Sequence, residues 1–303
     1  MPKRFLKNIA EYGMFLVLAL VVRALPREAA FRLGTLLGHL SRHLQPGRRR
    51  TAAENLRQAF PDMPESEVRE TVRKIFVHLG TSGVEMLRLD LFKGKADLET
   101  YFSFEGMEHL EEAFAMGKGV FLLSGHVGFW EVGTFFMPTL GFPVDFVAKK
   151  MKNPYVDRFF TRVREAAGGR CIDSKKGARR IVRSLAENRA VAVLIDQHAR
   201  PKEAVVVDFF NRPAHTTPII ARIAMKNGTP IVPVFVHRTQ DNHYRVTIEP
   251  MILLEKKSDE EAVTRGTSLL TGVIEAAVRE DISQWFWVHR RWRAQKPPKK
   301  TAA

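Results

Sequence analysis

From about residue 100 onward, short apolar runs alternate with amphipathic stretches, and this alternation constrains the fold more than any other feature of the chain. The runs are Gly119-Val-Phe-Leu-Leu123, Val144-Asp-Phe-Val147, Ala190-Val-Ala-Val-Leu-Ile195, Pro230-Ile-Val-Pro-Val-Phe-Val236 and Tyr244-Arg-Val-Thr-Ile-Glu249. Between them the apolar spacing predicts helices at about 106–116, 154–167, 176–187, 215–227 and 260–279. Strands alternating with helices predict an α/β architecture: a largely parallel or mixed central sheet flanked by helices. Ligands of such sheets bind beyond the carboxyl ends of the strands. Upstream, residues 27–92 read as helical, with a turn at Pro61–Pro64 and Ser66 as a cap before Val68, Val72, Ile75, Phe76 and Leu79 at helical spacing.

The first 25 residues differ from the rest. Lys3, Arg4 and Lys7 precede the apolar run Gly13–Val22, which Arg23 closes. Ten uninterrupted apolar residues are short for a spanning helix, and no small-residue cleavage site follows. The expectation is an interfacial or marginally spanning anchor over residues 1–25, its flanking positive charge on the cytoplasmic side, then a catalytic domain over 26–294. A basic tail, 295–303, is expected to fray.

The net charge of +15 is uneven. Residues 1–60 hold 11 Lys/Arg against 3 Asp/Glu, and residues 285–303 hold 6 Lys/Arg and no acid, so the long middle is nearly neutral. Basic ends suit an anionic membrane surface, a phosphorylated substrate or nucleic acid; the apolar anchor argues against nucleic acid. The single cysteine, Cys171, excludes an internal disulfide and a cysteine metal cluster, and no nucleophile signature surrounds it.

Chemistry concentrates where the first strong strand ends, in Ser124-Gly-His-Val-Gly-Phe-Trp-Glu131. Gly125 and Gly128 permit a tight turn and close substrate approach. His126 then sits in a strand-to-helix loop and Glu131 in the first turn of the following helix, where the intervening turn lets the two converge. A neutral imidazole takes a proton from an alcohol while a carboxylate fixes its tautomer and stabilises the imidazolium. The alcohol would attack a thioester directly, with backbone amides at the helix start facing the oxyanion. His-x4-Glu alone is a common spacing; its position beyond a buried strand gives it weight. No His-Glu-x-x-His is present, and Ser124 does not fit Gly-x-Ser-x-Gly.

Ser124–Glu131 resembles the His-x4-Glu motif of the bacterial lipid A biosynthesis (late lauroyl/myristoyl) acyltransferases, within the wider lysophospholipid acyltransferase-like group. Further matches follow in order. Arg48-Arg-Arg-Thr-Ala-Ala-Glu-Asn-Leu56 with Ala59-Phe-Pro61 is similar to the family's early basic segment, Asn55 being its asparagine. Lys152-Asn-Pro-Tyr-Val-Asp157 with Arg162-Val-Arg164, Ile195-Asp-Gln197 with Phe209-Phe-Asn-Arg-Pro213 and Thr216-Thr217, and Gln284-Trp-Phe-Trp-Val-His-Arg-Arg-Trp-Arg293 resemble the later ones.

The resemblance implies transfer of a fatty acyl chain from acyl carrier protein to a hydroxyl of a lipid A precursor, at the cytoplasmic face of the cell inner membrane. It implies His126 as general base with Glu131 as partner. Arg164, together with Arg162, would hold a substrate phosphate or carboxylate. Asn153 lies in the Asn-Pro element and joins the substrate-binding candidates. Asp196 would orient the site or bind acceptor hydroxyls, or else cap its loop. Arg290 and Arg291 would meet acidic head groups or merely solvate the terminus; His289 and Trp292 are expected to pack. Phe129, Trp130, Phe135 and Phe136 read as core before tunnel lining. No metal or bound cofactor is implied, and acyl carrier protein or coenzyme A enters as co-substrate. Asn211 replaces the family's frequent glycine and the loop Gln197–Val205 is rich in charge, which leaves open another glycolipid or lysophospholipid acceptor, such as a phosphoinositide mannoside, acylated from acyl-CoA.

Overall fold

A computed structural model describes residues 2–293 apart from 175, 176 and 258; the tail 295–303 lies outside the described residues. Four helices open the chain: α1 (Pro2–Ala24), α2 (Arg27–Leu44), α3 (Pro46–Ala59) and α4 (Glu65–Met86). There follow α5 (Lys95–Tyr101), β1 (Phe102–Glu105), α6 (Met107–Ala115), β2 (Val120–Ser124), α7 (Gly133–Thr139), β3 (Val144–Ala148) and α8 (Pro154–Glu165). Then come β4 (Arg170–Asp173), α9 (Gly177–Ala186), β5 (Ala190–Leu194), β6 (Val205–Asp208), β7 (Pro213–Thr216), α10 (Ile219–Asn227), β8 (Ile231–Arg238), β9 (Tyr244–Ile248) and α11 (Glu260–Glu280).

Seven strands form one sheet in the order β1-β9-β8-β2-β5-β3-β4. Every neighbouring pair is parallel except β8 with β9, so the mixed, mostly parallel α/β sheet expected from the alternating texture is present. Val120–Leu123 are all buried, as a central parallel strand covered on both faces requires. Apolar layers lie on the two faces: one includes Phe121, Leu123, Ile274 and Trp285, the other Leu122, Phe136, Val144 and Val234.

The structure departs from the expected elements around residue 215. Pro213–Thr216 pair antiparallel with Val205–Asp208 as a separate two-stranded ribbon, and the helix begins only at Ile219. Pro218 at its N-cap explains the late start, since the residue before a proline is pushed away from helical backbone.

The apolar run near the N-terminus belongs to a longer helix than its ten residues suggest. Arg4–Ala24, 21 residues, is long and apolar enough to cross a membrane, and only 11% of its apolar window is buried. Phe15 packs edge-on against Phe159 and Phe160 of α8, while Phe5, Leu6, Met14, Val17 and Leu20 stay exposed. Arg88 caps the helix end by donating to the carbonyls of Val22, Arg23 and Leu25. Behind it, α2 and α4 approach so closely that a Cβ on Gly80 would overlap the backbone of Gly34 and Gly38.

Candidate active site

β2 and β5 run parallel and side by side, with Ser124 opposite Leu194. Two residues beyond these paired ends lie His126 and Asp196. His126 Nδ1 is 2.8 Å from Asp196 Oδ1, and the His126 backbone N–H donates to Oδ2 at 2.8 Å. The Trp285 indole N–H donates to the same Oδ2 at 2.7 Å. Asp196 is completely buried. Burial alone would raise its pKa; the charge of the His126 ring, that ring's hydrogen bond, the backbone N–H and the indole outweigh burial and hold the carboxyl at about 2. An acceptor held this way fixes Nδ1 as the protonated nitrogen and leaves Nε2 as the basic one. Among the described residues Nε2 has no hydrogen-bond partner.

The C-terminal aromatic segment forms a brace along this loop. Val127 bridges Trp285, the Gly128 N–H donates to Gln284 O at 2.9 Å, and the Phe286 N–H donates to His126 O at 3.1 Å. Gly128 holds φ at +57°, and a Cβ there would overlap Val236 O. The His78 ring, from α4, meets the Gly128 carbonyl at 3.1 Å. Asn55 anchors the brace from α3, donating to both Trp287 O and His289 O at 2.7 Å. The early basic motif and the terminal Trp-rich motif therefore meet through Asn55.

Glu131 does not pair with His126, contrary to the sequence expectation. It lies in a 3-10 turn, Trp130–Val132, and takes a bidentate hydrogen bond from Arg164 of α8, at 2.8 Å from Nε and 2.6 Å from Nη2. The side chains are 18% and 13% exposed. Burial would lower the Arg164 pKa, but Glu131 more than offsets this and the guanidinium stays charged. Arg164 is thus engaged by a carboxylate of its own chain. The role expected of Glu131, fixing the imidazole tautomer, falls to Asp196, because adjacency of strands rather than of sequence positions brings a carboxylate to Nδ1.

The remaining candidates are dispersed. Arg162 is exposed on α8. Asn153 caps α8, accepting from the Tyr155 N–H at 3.1 Å, and its amide donates to Asn8 O and Glu11 Oε2 of α1 at 2.9 and 3.2 Å. Arg290 is exposed, whereas Arg291 is wholly buried. Arg291 donates to Gln197 O, His215 O and Thr216 Oγ1, so its guanidinium ties the terminal segment to the β7 ribbon and is not free for a head group. The amides of His126, Gly128 and Phe129 are likewise taken, by Asp196, Gln284 and Val236, and do not face an oxyanion. Burial pushes the Cys171 thiol up to about 11, an inert setting. The sequence alone did not single out Trp285, His78 or Phe286 as parts of the site.

His126 stands at the mouth of a cavity of about 340 Å3 that runs beneath the strand ends. Its mouth carries Ser124, Glu131, Lys149, Arg164 and Gln197; its depth is Leu122, Phe136, Met137, Phe146, Ala192 and Val234. Phe136, expected as core, is both core and wall. A polar rim around one imidazole over an apolar interior suits a ligand with a reactive polar end and a hydrocarbon body.

Residues 3–294 match the family model described as bacterial lipid A biosynthesis acyltransferase. A lipid A biosynthesis acyltransferase of Haemophilus influenzae is 24% identical over 288 residues, covering 94% of this chain and 87% of that one. The lipid A biosynthesis lauroyltransferase of Escherichia coli is 27% identical over 283 residues, covering 92% and 90%. A phosphatidylinositol mannoside acyltransferase of Mycobacterium tuberculosis is 27% identical over 131 residues, 42% of each chain. With the model matched over nearly its whole length, the chain belongs to the bacterial lipid A biosynthesis acyltransferase family and is an acyltransferase.

Proposed function

We propose that the chain transfers a fatty acyl group from acyl carrier protein to a hydroxyl of a lipid A precursor. The observation that carries this reading is an imidazole, fixed through Nδ1 by a buried carboxylate, at the mouth of an apolar cavity in a member of this family. The acyl chain of the donor occupies the cavity and presents its thioester carbonyl at His126. The acceptor hydroxyl gives its proton to His126 Nε2 as its oxygen bonds to the carbonyl carbon. The tetrahedral intermediate then expels the thiolate, which takes the proton from the imidazolium. Asp196 stabilises that imidazolium. General-base assistance of this kind contributes about 10²–10⁴-fold in rate. Glu131 acts through Arg164, the neutral pair fixing the wall of the mouth, and Lys149 supplies positive potential there.

In this reading residues 26–294 are the catalytic domain and residues 1–25 its anchor, at the cytoplasmic face of the inner membrane. The basic N-terminal flank suits that orientation. Near-full-length similarity to lipid A enzymes, against a partial match to the mannoside enzyme, favours the lipid A acceptor over the alternative. Purified protein, a mixed pool of acyl carrier protein thioesters and a tetra-acylated lipid A precursor should yield a product heavier by one acyl chain in mass spectrometry. His126→Ala should yield none. Failure of the wild-type protein to acylate this precursor would overturn the acceptor, and product from the His126 variant would overturn the base.

A further inference from the structure

A second apolar cavity, of about 430 Å3, lies against Phe286. It shares no lining residue with the cavity beneath His126. Its walls include Leu18 of α1, Leu37 of α2, and Leu79 and Gly83 of α4. The Phe286 ring centroid is 6.0 Å from that of His126 and 6.3 Å from that of Trp130, so one aromatic ring separates this cavity from the base. The two cavities differ in surroundings. One is bounded by strand ends and α7; the other has as a wall the helix whose outer face is exposed and apolar, with Leu18 itself 41% exposed. Ser41, Gln45 and Arg48 stand at its polar end, and Arg48 is exposed with no acidic partner among the described residues.

An enzyme that joins a hydrocarbon chain to a second lipid brings two apolar bodies to one base, and two separate apolar cavities lie on either side of it here. We infer that the Phe286 cavity receives an acyl chain of the acceptor lipid, entering along α1, with Arg48 facing an anionic group of its head. The cavity beneath His126 is left for the chain being transferred. This inference rests on the proposed acyl transfer to a phosphorylated glycolipid. It also gives the first arginine of the early basic motif a task of its own, apart from the anchoring done by Asn55.

Gly83 offers a clean test. Gly83 is exposed and lines the cavity, and a Cβ built there meets nothing within 4 Å, so a side chain added at this position takes up open space at the cavity, while removal of glycine favours the helix. The full-length protein is assayed with dodecanoyl acyl carrier protein and a tetra-acylated lipid A precursor in mixed micelles. Gly83→Phe should raise KM for the acceptor about tenfold or more, leave KM for the donor unchanged, and keep the wild-type melting temperature. Gly83→Ala should behave as wild type. Arg48→Gln should raise acceptor KM too, but only for an acceptor that carries its phosphate. An unchanged acceptor KM in Gly83→Phe overturns the assignment while acyl transfer itself stands. A rise matched by equal loss of partitioning into plain phospholipid vesicles would place bulk lipid in the cavity, and also overturns it. A wild-type protein inactive on every acceptor would instead remove the reading beneath it.

Discussion

His126 and Asp196 are 70 residues apart in sequence, yet each stands two positions beyond the end of one of two paired parallel strands, and Nδ1 meets Oδ1 at 2.8 Å. The same carboxylate also accepts from the His126 backbone and from Trp285, so it fixes both the ring and the loop that carries it. Asp196→Asn should therefore lower kcat by about 10²-fold or more with little change in either KM, because the amide no longer stabilises an imidazolium. Glu131→Gln should not reproduce that pattern. Steady-state kinetics on both variants decides which carboxylate serves His126; an Asp196 variant of wild-type kcat would remove it from the mechanism.

Glu131 and Arg164 form a largely buried, bidentate pair. Removing one partner leaves a charge short of both water and counter-charge, at a cost of about 2–4 kcal/mol after allowance for partial exposure. Glu131→Gln and Arg164→Gln should each lower stability by roughly that amount, and the double variant by clearly less than the sum. Their kinetic defects should also coincide rather than add, if Glu131 acts only by positioning Arg164. Denaturant midpoints and kcat values of the three variants form the cycle; additive losses in both would dissolve the pairing.

The strands that show most plainly in sequence lie at the centre of the sheet, where both faces are covered. Val120–Ser124, Ala190–Leu194 and Ile231–Arg238 are interior strands and read as continuous apolar runs. β4 reads Arg-Cys-Ile-Asp and buries only Ile172, so no run announces it; β1 alternates over just four residues. His126 and Glu131 were visible as a motif. Their true partners were not, because strand order, which places β5 beside β2 and α8 over the loop, is not written in local spacing. Arg291 misled for a related reason: in Arg290-Arg-Trp-Arg293 nothing local distinguishes the buried guanidinium from its exposed neighbours.

Acid should weaken the protein before it reaches the carboxylate range. Burial lowers the His289 pKa to about 4, and burial also holds His78 well below its ordinary value. The unfolded chain binds these protons near pH 6.5 and the native chain does not, so their contribution is full above that pH and is lost as pH falls, for His289 toward about 4. Asp196, depressed to about 2 and fully buried, acts lower: its roughly 2 kcal/mol is present above about pH 4 and disappears toward pH 2. Melting temperature should fall steadily from pH 7 to pH 4, and His289→Gln should flatten the upper part of that slope. A flat profile between pH 7 and 5 would contradict the buried neutral histidines.

The brace from Asn55 to Trp285 makes the terminal segment part of the site, and two variants separate its contributions. Asn55→Ala removes both donors to the Trp287 and His289 carbonyls, which at about 1 kcal/mol net each, plus the cost of orphaned acceptors, amounts to about 2–4 kcal/mol. Trp285→Phe keeps an aromatic ring in the core but deletes the indole donor to Asp196 Oδ2, a bond to a charged group worth about 1.5–3 kcal/mol, together with part of the ring's buried volume. The losses in melting temperature should be similar, but the pH responses should differ. That indole favours the ionised carboxylate, so without it the Asp196 pKa rises, and the acid limb of the stability profile should move to higher pH in Trp285→Phe while staying in place in Asn55→Ala. Equal acid limbs in the two variants would mean that the indole does not sustain the charge on Asp196, and that His126 alone holds it.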